Sequence, residues 1–448
     1  MKETLARLLY NTAFLPVFVA SMPYYGWRLW RRGQPLYHFE QRLGIYGEGV
    51  RKKLAGGADL WIHAVSVGEV MLAKAILGPL RQSCPGIRVV LTTTTQTGRS
   101  VALPLEDELT TVLYNPIDWY SCVESAYRLI RPRQLVLIEA EIWPNYLWSA
   151  QARGIPVTLV NARLSERTER RYRRLRWLVR PLLAKLGLVL AQDEVDVERL
   201  VGAGYPSESI FNLGSLKYDV AGVEAAANPA IEDWWSRCGW PGDRQVLLAA
   251  STHRGEEEAF LSLFQELRPK WPQLRLLLVP RHAERGRSIL EAARRRGLRA
   301  VARSASAAWR EAGAAGEEPE VIVGDTTGEL KHLYAKADLA FVGKSLRARG
   351  GQNFLESVGQ ETPTLLGPNM QNFAVITRDF VRRDGVRQIA DEADLLRAVE
   401  ALLANEEERR ALGRRGRETY QHGLGAAQRT AELLAASLAE SQVALETA

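Results

Sequence analysis

The chain reads as an α/β protein of two doubly wound domains, each a parallel sheet covered by helices, behind an apolar N-terminal helix. Three observations predict this. From about Asp59 onward, short and nearly continuous apolar runs alternate with helix-like stretches, the pattern of parallel strands buried on both faces. The alternation breaks at Asn228–Arg244, where Pro229, Gly239, Pro241 and Gly242 fall without periodicity, and then restarts. A length of 448 residues also exceeds what one hydrophobic core organises.

Hydrophobic residues at 46% and charged residues at 25% exclude a disordered or fibrous chain. Three separated cysteines, Cys84, Cys122 and Cys238, exclude a disulfide framework, and no Cys/His spacing suggests structural zinc. A reducing compartment fits. The net charge of +7 is mild, so its distribution matters more than its size.

Taken in order, residues 1–35 form the first element. Leu8–Trp27 carries no charge, just long enough to cross a bilayer core of roughly 20 residues. It ends in tyrosines and tryptophans followed by Arg28, Arg31 and Arg32, an interfacial belt rather than the small residues of a cleavage site. The segment is therefore expected to be an uncleaved membrane anchor with the body on the arginine-rich, cytoplasmic side. Pro16, Pro23, Asn11 and Thr12 weaken it as a straight span, and spanning and half-embedding both stay open.

The first α/β domain is expected over 36–216. Its strands are Leu60–Val65, Val89–Thr93, Thr111–Tyr114, Leu135–Glu139, Val157–Val160, Leu188–Ala191 and Phe211–Leu213, with helices such as Glu69–Leu80 and Asp118–Ile130 between them. Between Ser165 and Leu188, apolar residues at Leu175, Leu178, Val179, Leu182, Leu183 and Leu186 keep helical spacing. Arginines, among them Arg167, Arg170, Arg171 and Arg174, crowd the same stretch. Such a helix suits an anionic lipid surface or a phosphorylated head group, and equally a core helix with a solvated basic face.

A linker is expected at 217–243 and a second domain at 244–425, with strands Val246–Ala250, Leu274–Val279, Val321–Val323, Leu339–Val342 and Thr364–Leu366. Residues 426–448 close the chain as a helix. Ligands of doubly wound sheets bind outside the carboxyl ends of the strands. With two such domains, the expected site is the cleft between them.

Several residues there have chemistry to offer. Glu69 follows the run WIHAVSV through Gly68, at a strand–helix elbow where a carboxylate can take a proton from an attacking hydroxyl. Ser66 and Glu69 also form an S-x-x-E capping box, which needs no function. Glu139 and Glu141 close LVLIEAEIWP and in extended backbone point alike. Lys217, in GSLKYD, places a cation near the hinge.

Pro280-Arg281-His282 ends a strand, with Arg281 a fork suited to phosphate. Asp325-Thr326-Thr327-Gly328-Glu329 precedes a helix whose N–H groups suit an anion. Gly350-Gly351-Gln352-Asn353-Phe354-Leu355-Glu356 pairs glycines with a helix start, and Glu356 is placed to accept two ribose hydroxyls. The run is neither a Walker A loop nor G-x-G-x-x-G. Together these place a nucleotide on the second domain and a base on the first.

WIHAVSVGE, TTTTQTG, LIEAEIWPN, NARLSER, GSLKYD, ASTHRGEEE, VPRHAER, VGDTTGELKHLY, ADLAFVG, RGGQNFLE and LGPNMQNF, in order from about residue 20 to 430, resemble the 3-deoxy-D-manno-octulosonic acid (Kdo) transferases of lipid A assembly. The resemblance implies a GT-B fold of two Rossmann-like domains facing a cleft. It implies inverting transfer of Kdo from CMP-Kdo to a lipid A precursor at the inner membrane, without metal or cofactor and without nucleic acid. By position, Glu69 would be the general base, and Glu139 and Lys217 would assist the transition state. Pro280, Arg281, Thr327, Gly328, Glu329, Asn353, Phe354, Leu355 and Glu356 would hold CMP. The acceptor and the membrane lipids are anionic, which would give Arg163, Arg167, Arg170, Arg171 and Arg174 a purpose.

The chain departs from the family pattern at Gln352, Ala140 and Lys344, where histidine, threonine and a second glycine are usual. Gln352 keeps a donor but no charge, and Lys344 adds a charge near the nucleotide. The alternatives are a transferase using another nucleotide sugar on a lipid, and an inactive membrane-bound homologue.

Overall fold

Fourteen strands form two parallel sheets in the computed structural model, which describes residues 2–31, 37–139, 142–221, 228–238, 240, 242–306 and 318–446. The first sheet contains β1 (Leu60–His63), β2 (Val89–Thr93), β3 (Thr110–Tyr114), β4 (Gln134–Ile138), β5 (Val157–Ala162), β6 (Leu188–Ala191) and β7 (Ile210–Asn212), in the order β3-β2-β1-β4-β5-β6-β7. Successive side chains along each strand divide between two cores. Trp61, Val90, Leu135, Leu137 and Leu159 face one way, onto Val123, Tyr127, Tyr146 and Leu147. Leu60, Ile62, Val89, Leu91, Val136 and Ile138 face the other, onto Val70, Ala73 and Ile76 of the helix Val67–Ser83. This period of two, with both faces apolar, explains why the strands read as continuous apolar runs.

The second sheet contains β8 (Gln245–Thr252), β9 (Leu274–Pro280), β10 (Ala300–Ala302), β11 (Val321–Val323), β12 (Leu339–Val342), β13 (Thr364–Leu366) and β14 (Arg387–Gln388), in the order β10-β11-β9-β8-β12-β13-β14. Its core gathers Leu247, Leu276, Leu278 and Phe341 with Phe260 and Phe264 of the helix Glu256–Leu267.

The chain divides into two units, Met1–Val220 with Leu424–Ala448, and Ala221–Gly423. The C-terminal helix Ala426–Glu446 therefore belongs to the first unit. Its Ala431, Leu434 and Leu438 share the core of Val70 and Ile76, and Asp219 accepts the N–H groups of Gly425 at 2.8 Å and Ala427 at 3.0 Å. Within 217–243, Lys217–Val220 and Pro229–Arg237 are helical, and Ile231, Trp234 and Trp240 are buried.

The basic stretch differs from the single helix expected. It forms two helices, Glu166–Arg174 and Arg176–Leu183, which meet at Leu175 with φ −102° and ψ 24°. Leu183 and Leu186 are buried, whereas Leu175, Leu178 and Trp177 are exposed, so the apolar residues do not share one buried face. The N-terminal helix, Lys2–Arg31, is continuous through Pro16 and Pro23, and its stretch Thr4–Pro23 is long and apolar enough to cross a membrane.

Candidate active site

In each sheet the first strand of the unit lies beside a strand reached only after the chain has built the other half. These reversal points fall between β1 and β4 and between β8 and β12, and the carboxyl ends of strands flanking such points are where α/β proteins bind ligands. Of the residues singled out from the sequence, Glu69 follows β1, Glu139 follows β4 and Asn353–Glu356 follow β12, whereas Arg163, Lys217, Arg281 and Glu329 follow β5, β7, β9 and β11.

At the end of β1, Glu69 is 8% exposed and folds back. Its Oε2 accepts the Val65 N–H at 2.8 Å and its Oε1 accepts the Ser66 hydroxyl at 2.9 Å. The Ser66 side chain caps no helix N–H. Neither bond of a capping box is made: the glutamate reaches past the N-cap to the Val65 N–H, and the serine serves the glutamate instead of the helix.

At the end of β4, Glu139 has φ 63°, a left-handed conformation that costs an ordinary residue about 1–2 kcal/mol. The extended geometry expected to align it with Glu141 therefore fails at Glu139 itself; Ala140 and Glu141 lie outside the described residues. The turned Glu139 carboxylate meets two cations. Arg163, just past β5, donates to Oε2 from Nε at 3.2 Å and Nη2 at 2.9 Å. Lys217 Nζ lies 3.8 Å from Oε1.

Burial lowers the Lys217 pKa, and the Glu139 charge offsets part of that. Asp196, which accepts the Leu164 N–H at 3.1 Å, adds a carboxyl that burial pushes up to about 6. Arg163 thus stands apart from the other four arginines. Arg167, Arg170, Arg171 and Arg174 are exposed and, with Glu166 and Leu175, line a shallow groove of about 580 Å³.

In the second unit, Asn353 and Glu356 are hydrogen-bonded, within reach of the charges of Lys331 and Arg281. Asn353 Nδ2 donates to Glu356 Oε1 at 3.3 Å, and its Oδ1 accepts the Leu355 N–H at 3.2 Å. Burial raises the Glu356 pKa, opposed by Asn353 and by the charges of Lys331 and Arg281. Phe354 and Leu355 are fully buried, Phe354 against Phe380 with ring centroids 5.1 Å apart. Their side chains belong to the core, and the following helix, Leu355–Gly359, is short.

Pro280 is buried, and Arg281 donates its N–H to the Thr252 carbonyl at 3.0 Å. Thr327 and Gly328 are exposed, and Glu329 is ion-paired with Arg303 at 3.1 Å.

The sequence did not point to Glu256. It is fully buried and holds the turn after β12: Oε2 accepts the N–H groups of His253 and Lys344, both at 2.8 Å, and Oε1 accepts those of Ser345 at 3.1 Å and Leu346 at 3.0 Å. Among the described residues no cation is paired with it, and a buried carboxylate so placed is stable only when this many donors converge. The one signal available was Gly255 ahead of three consecutive glutamates.

Lys344, where the family pattern has glycine, sits at φ 58°, and its carbonyl accepts the Gly351 N–H at 3.0 Å. Gln352 Nε2 lies 3.3 Å from His253 Nε2. Gly351 is required by the fold itself: at φ 71° its Cβ would lie 2.5 Å from Met370 Sδ.

Among known proteins, residues 37–220 match the family described as 3-deoxy-D-manno-octulosonic-acid transferase (kdotransferase). The 3-deoxy-D-manno-octulosonic acid transferase of Haemophilus influenzae is 34% identical over 88% of this chain and 90% of its own length. That of Bordetella pertussis is 34% identical over 91% and 94%. The UDP-GlcNAc 2-epimerase of Neisseria meningitidis has a similar structure, with a TM-score of 0.56 over 85% of this chain and 99% of that one. At 14% identity, that likeness speaks for the shared GT-B-type architecture alone. With two relatives at this identity over nearly their whole length, the chain belongs to the 3-deoxy-D-manno-octulosonic acid transferase family of glycosyltransferases.

Proposed function

We propose that the protein transfers Kdo from CMP-Kdo to a lipid A precursor (lipid IVA), with inversion at the anomeric carbon and Glu69 as the general base. An acceptor hydroxyl attacks C2 of Kdo, the bond from C2 to the phosphate oxygen breaks, Glu69 takes the hydroxyl proton, and CMP leaves with the bonding pair. The observation that carries this reading is the placement of Glu69. It is a carboxylate oriented by the Val65 N–H and the Ser66 hydroxyl at the carboxyl end of β1, beside the reversal point of its sheet.

The remaining roles follow from charge. The Glu139–Arg163–Lys217 cluster offers cations to the carboxylate of Kdo or to the departing phosphate, as positioned charges do in group transfer. In the second unit, Glu356 is the acceptor for ribose hydroxyls and Arg281 a donor to phosphate. Pro280, Thr327, Gly328, Glu329 and Asn353 are their neighbours in the CMP site, and Phe354 and Leu355 contribute as the packed floor beneath the turn. The partners are then CMP-Kdo, the lipid A precursor and the lipids of the inner membrane, approached from the cytoplasmic face. The exposed Arg167, Arg170, Arg171 and Arg174 meet anionic head groups there.

Mass spectrometry of the product formed by the full-length protein, offered a tetra-acylated lipid A precursor with CMP-Kdo or with UDP-sugars separately, tests the reading. Addition of Kdo from CMP-Kdo alone is expected, and the mass gives the number of sugars added. Turnover with a UDP-sugar and none with CMP-Kdo would defeat it.

A further inference from the structure

The N-terminal helix is docked along the first unit by one polar stripe. Arg7 Nη2 donates to Ser149 Oγ at 3.0 Å and lies 3.4 Å from Glu124 Oε1. The Tyr10 hydroxyl donates to Asp118 Oδ2 at 2.6 Å. Asn11 exchanges hydrogen bonds with the Asn145 side chain at 3.0 Å and accepts the Tyr120 N–H at 3.0 Å. Tyr10 packs edge-on against Trp148, and Phe14 meets Trp119. The stripe Arg7–Tyr10–Asn11–Phe14 has helical spacing, and Phe18 and Ser21, the next residues in register, are likewise only half-exposed. The remaining faces are apolar and open: Leu8 is 63% exposed, Val17 70%, and Leu5, Leu9, Leu15, Val19 and Met22 are exposed as well.

These contacts do not suit a bilayer-spanning helix. Asn145 and Ser149 are fully buried under the stripe, and Asp118 is 4% exposed. If the helix left to cross the membrane alone, it would give up these hydrogen bonds and aromatic contacts together and uncover Asn145, Ser149 and Asp118. If it crossed while docked, they would enter the hydrocarbon with it. Beyond the docked residues, Leu15–Trp27 rises only about 20 Å before the first arginine, against a core of about 30 Å.

A helix lying in the membrane plane satisfies every group: polar stripe to protein, apolar faces to lipid. The neighbouring surface agrees. The helix Pro144–Gln151, which carries Asn145, Trp148 and Ser149, also packs against Arg176–Leu183, whose Trp177 is 77% exposed beside Arg174 and Arg180.

We infer that Lys2–Arg31 is an in-plane helix, fixed to the first unit through Arg7, Tyr10 and Asn11, that seats its apolar faces in one leaflet of an anionic lipid bilayer without crossing it. The inference rests on the membrane reading above only for the choice of bilayer as partner.

Spin labels at Leu8→Cys, Leu15→Cys and Met22→Cys, one at a time in the full-length Cys84→Ser protein bound to phosphatidylethanolamine/phosphatidylglycerol vesicles, test it. Relative accessibility to oxygen and to a water-soluble nickel chelate reads the depth. Three similar shallow depths are expected. A label at Leu15 about 10 Å deeper than that at Leu8, the rise of a helix along the normal, would overturn the inference. So would spin–spin broadening with no lipid accessibility, the sign of a second copy covering the face. Lys2→Cys and Glu48→Cys provide a second reading: an impermeant maleimide reaches both from the same side of inner-membrane vesicles if the helix lies in-plane, and from opposite sides if it spans. A protein with different donor specificity, or none, gives the same depths, so failure of the transfer reading and failure of this one are separable.

Discussion

Replacing Glu256 with glutamine perturbs the turn after β12 while barely changing volume. The carboxylate serves four main-chain donors, two on each oxygen. In glutamine one oxygen becomes an NH₂, so whichever way the amide turns, two N–H groups face a donor. A hydrogen bond to a charged group contributes about 1.5–3 kcal/mol, so the loss is on the order of 3–6 kcal/mol.

The lower figure is expected, because Ser345 stays tied by its hydroxyl, which accepts the Gly367 N–H at 2.9 Å, and by its carbonyl, which accepts the Asn369 N–H at 2.9 Å. At about 1.4 kcal/mol per factor of ten, amide exchange across Gly343–Leu346 should quicken by on the order of a hundredfold. Hydrogen–deuterium exchange read by mass spectrometry checks this, with the fully buried strand Leu274–Pro280 as the internal reference. Unchanged exchange of the turn in a folded variant would refute the claim that Glu256 holds it. Weaker CMP-Kdo binding should accompany the opening if the turn borders the donor.

Three further outcomes follow from local geometry and charge. Lys344→Gly should raise the melting temperature of the second unit: relief of a left-handed backbone at φ 58° gains about 1–2 kcal/mol, against about 0.4–1 lost to a freer unfolded chain; a lower melting temperature would mean that the lysine side chain stabilises the turn. Because burial lowers the Lys217 pKa below its usual 10.5, transfer should decline on the alkaline side before pH 10.5, and Lys217→Arg should move that decline upward; a pH–rate profile unaltered by the arginine would remove Lys217 from the charge balance. Burial pushes the Asp118 carboxyl from 3.8 up to about 7. The folded chain then keeps a proton that the unfolded chain sheds, so this stabilisation is full below about pH 4 and is lost as pH rises through 7. Thermal unfolding across that window should show a downward component that Asp118→Asn abolishes.

The sheets were legible because their strands are buried on both faces, and Leu60–His63 or Leu339–Val342 admit no other reading as short apolar runs between turns. The two strands not anticipated, Ala300–Ala302 and Arg387–Gln388, are very short, and the latter is exposed and polar. Hydropathy has nothing to register there. The break at Leu175 was hidden because apolar spacing survives it, although the buried face does not.

Site residues divide in the same way. Glu69 and Arg281 stand at strand ends, where pattern and chemistry coincide. The partnership of Glu139 with Arg163 depends on a left-handed turn at Glu139, which strand-like neighbours conceal. Glu256 was invisible because three of its four donors are main-chain N–H groups about 90 positions away in sequence, and a backbone donor leaves no trace in residue type. The docked stripe of the N-terminal helix was present as Arg7, Tyr10 and Asn11, but Arg7 precedes the uncharged run, and within it Asn11 reads as a weakness of a span rather than as part of a seam.

The most direct test of the central claim is transfer by the Glu69→Gln protein, followed by mass spectrometry of the Kdo-bearing lipid alongside calorimetric titration with CMP. Loss of a positioned general base slows a reaction by about 10²–10⁴-fold, so product formation should fall at least a hundredfold while CMP binds as before. Product at the unsubstituted rate would contradict the account.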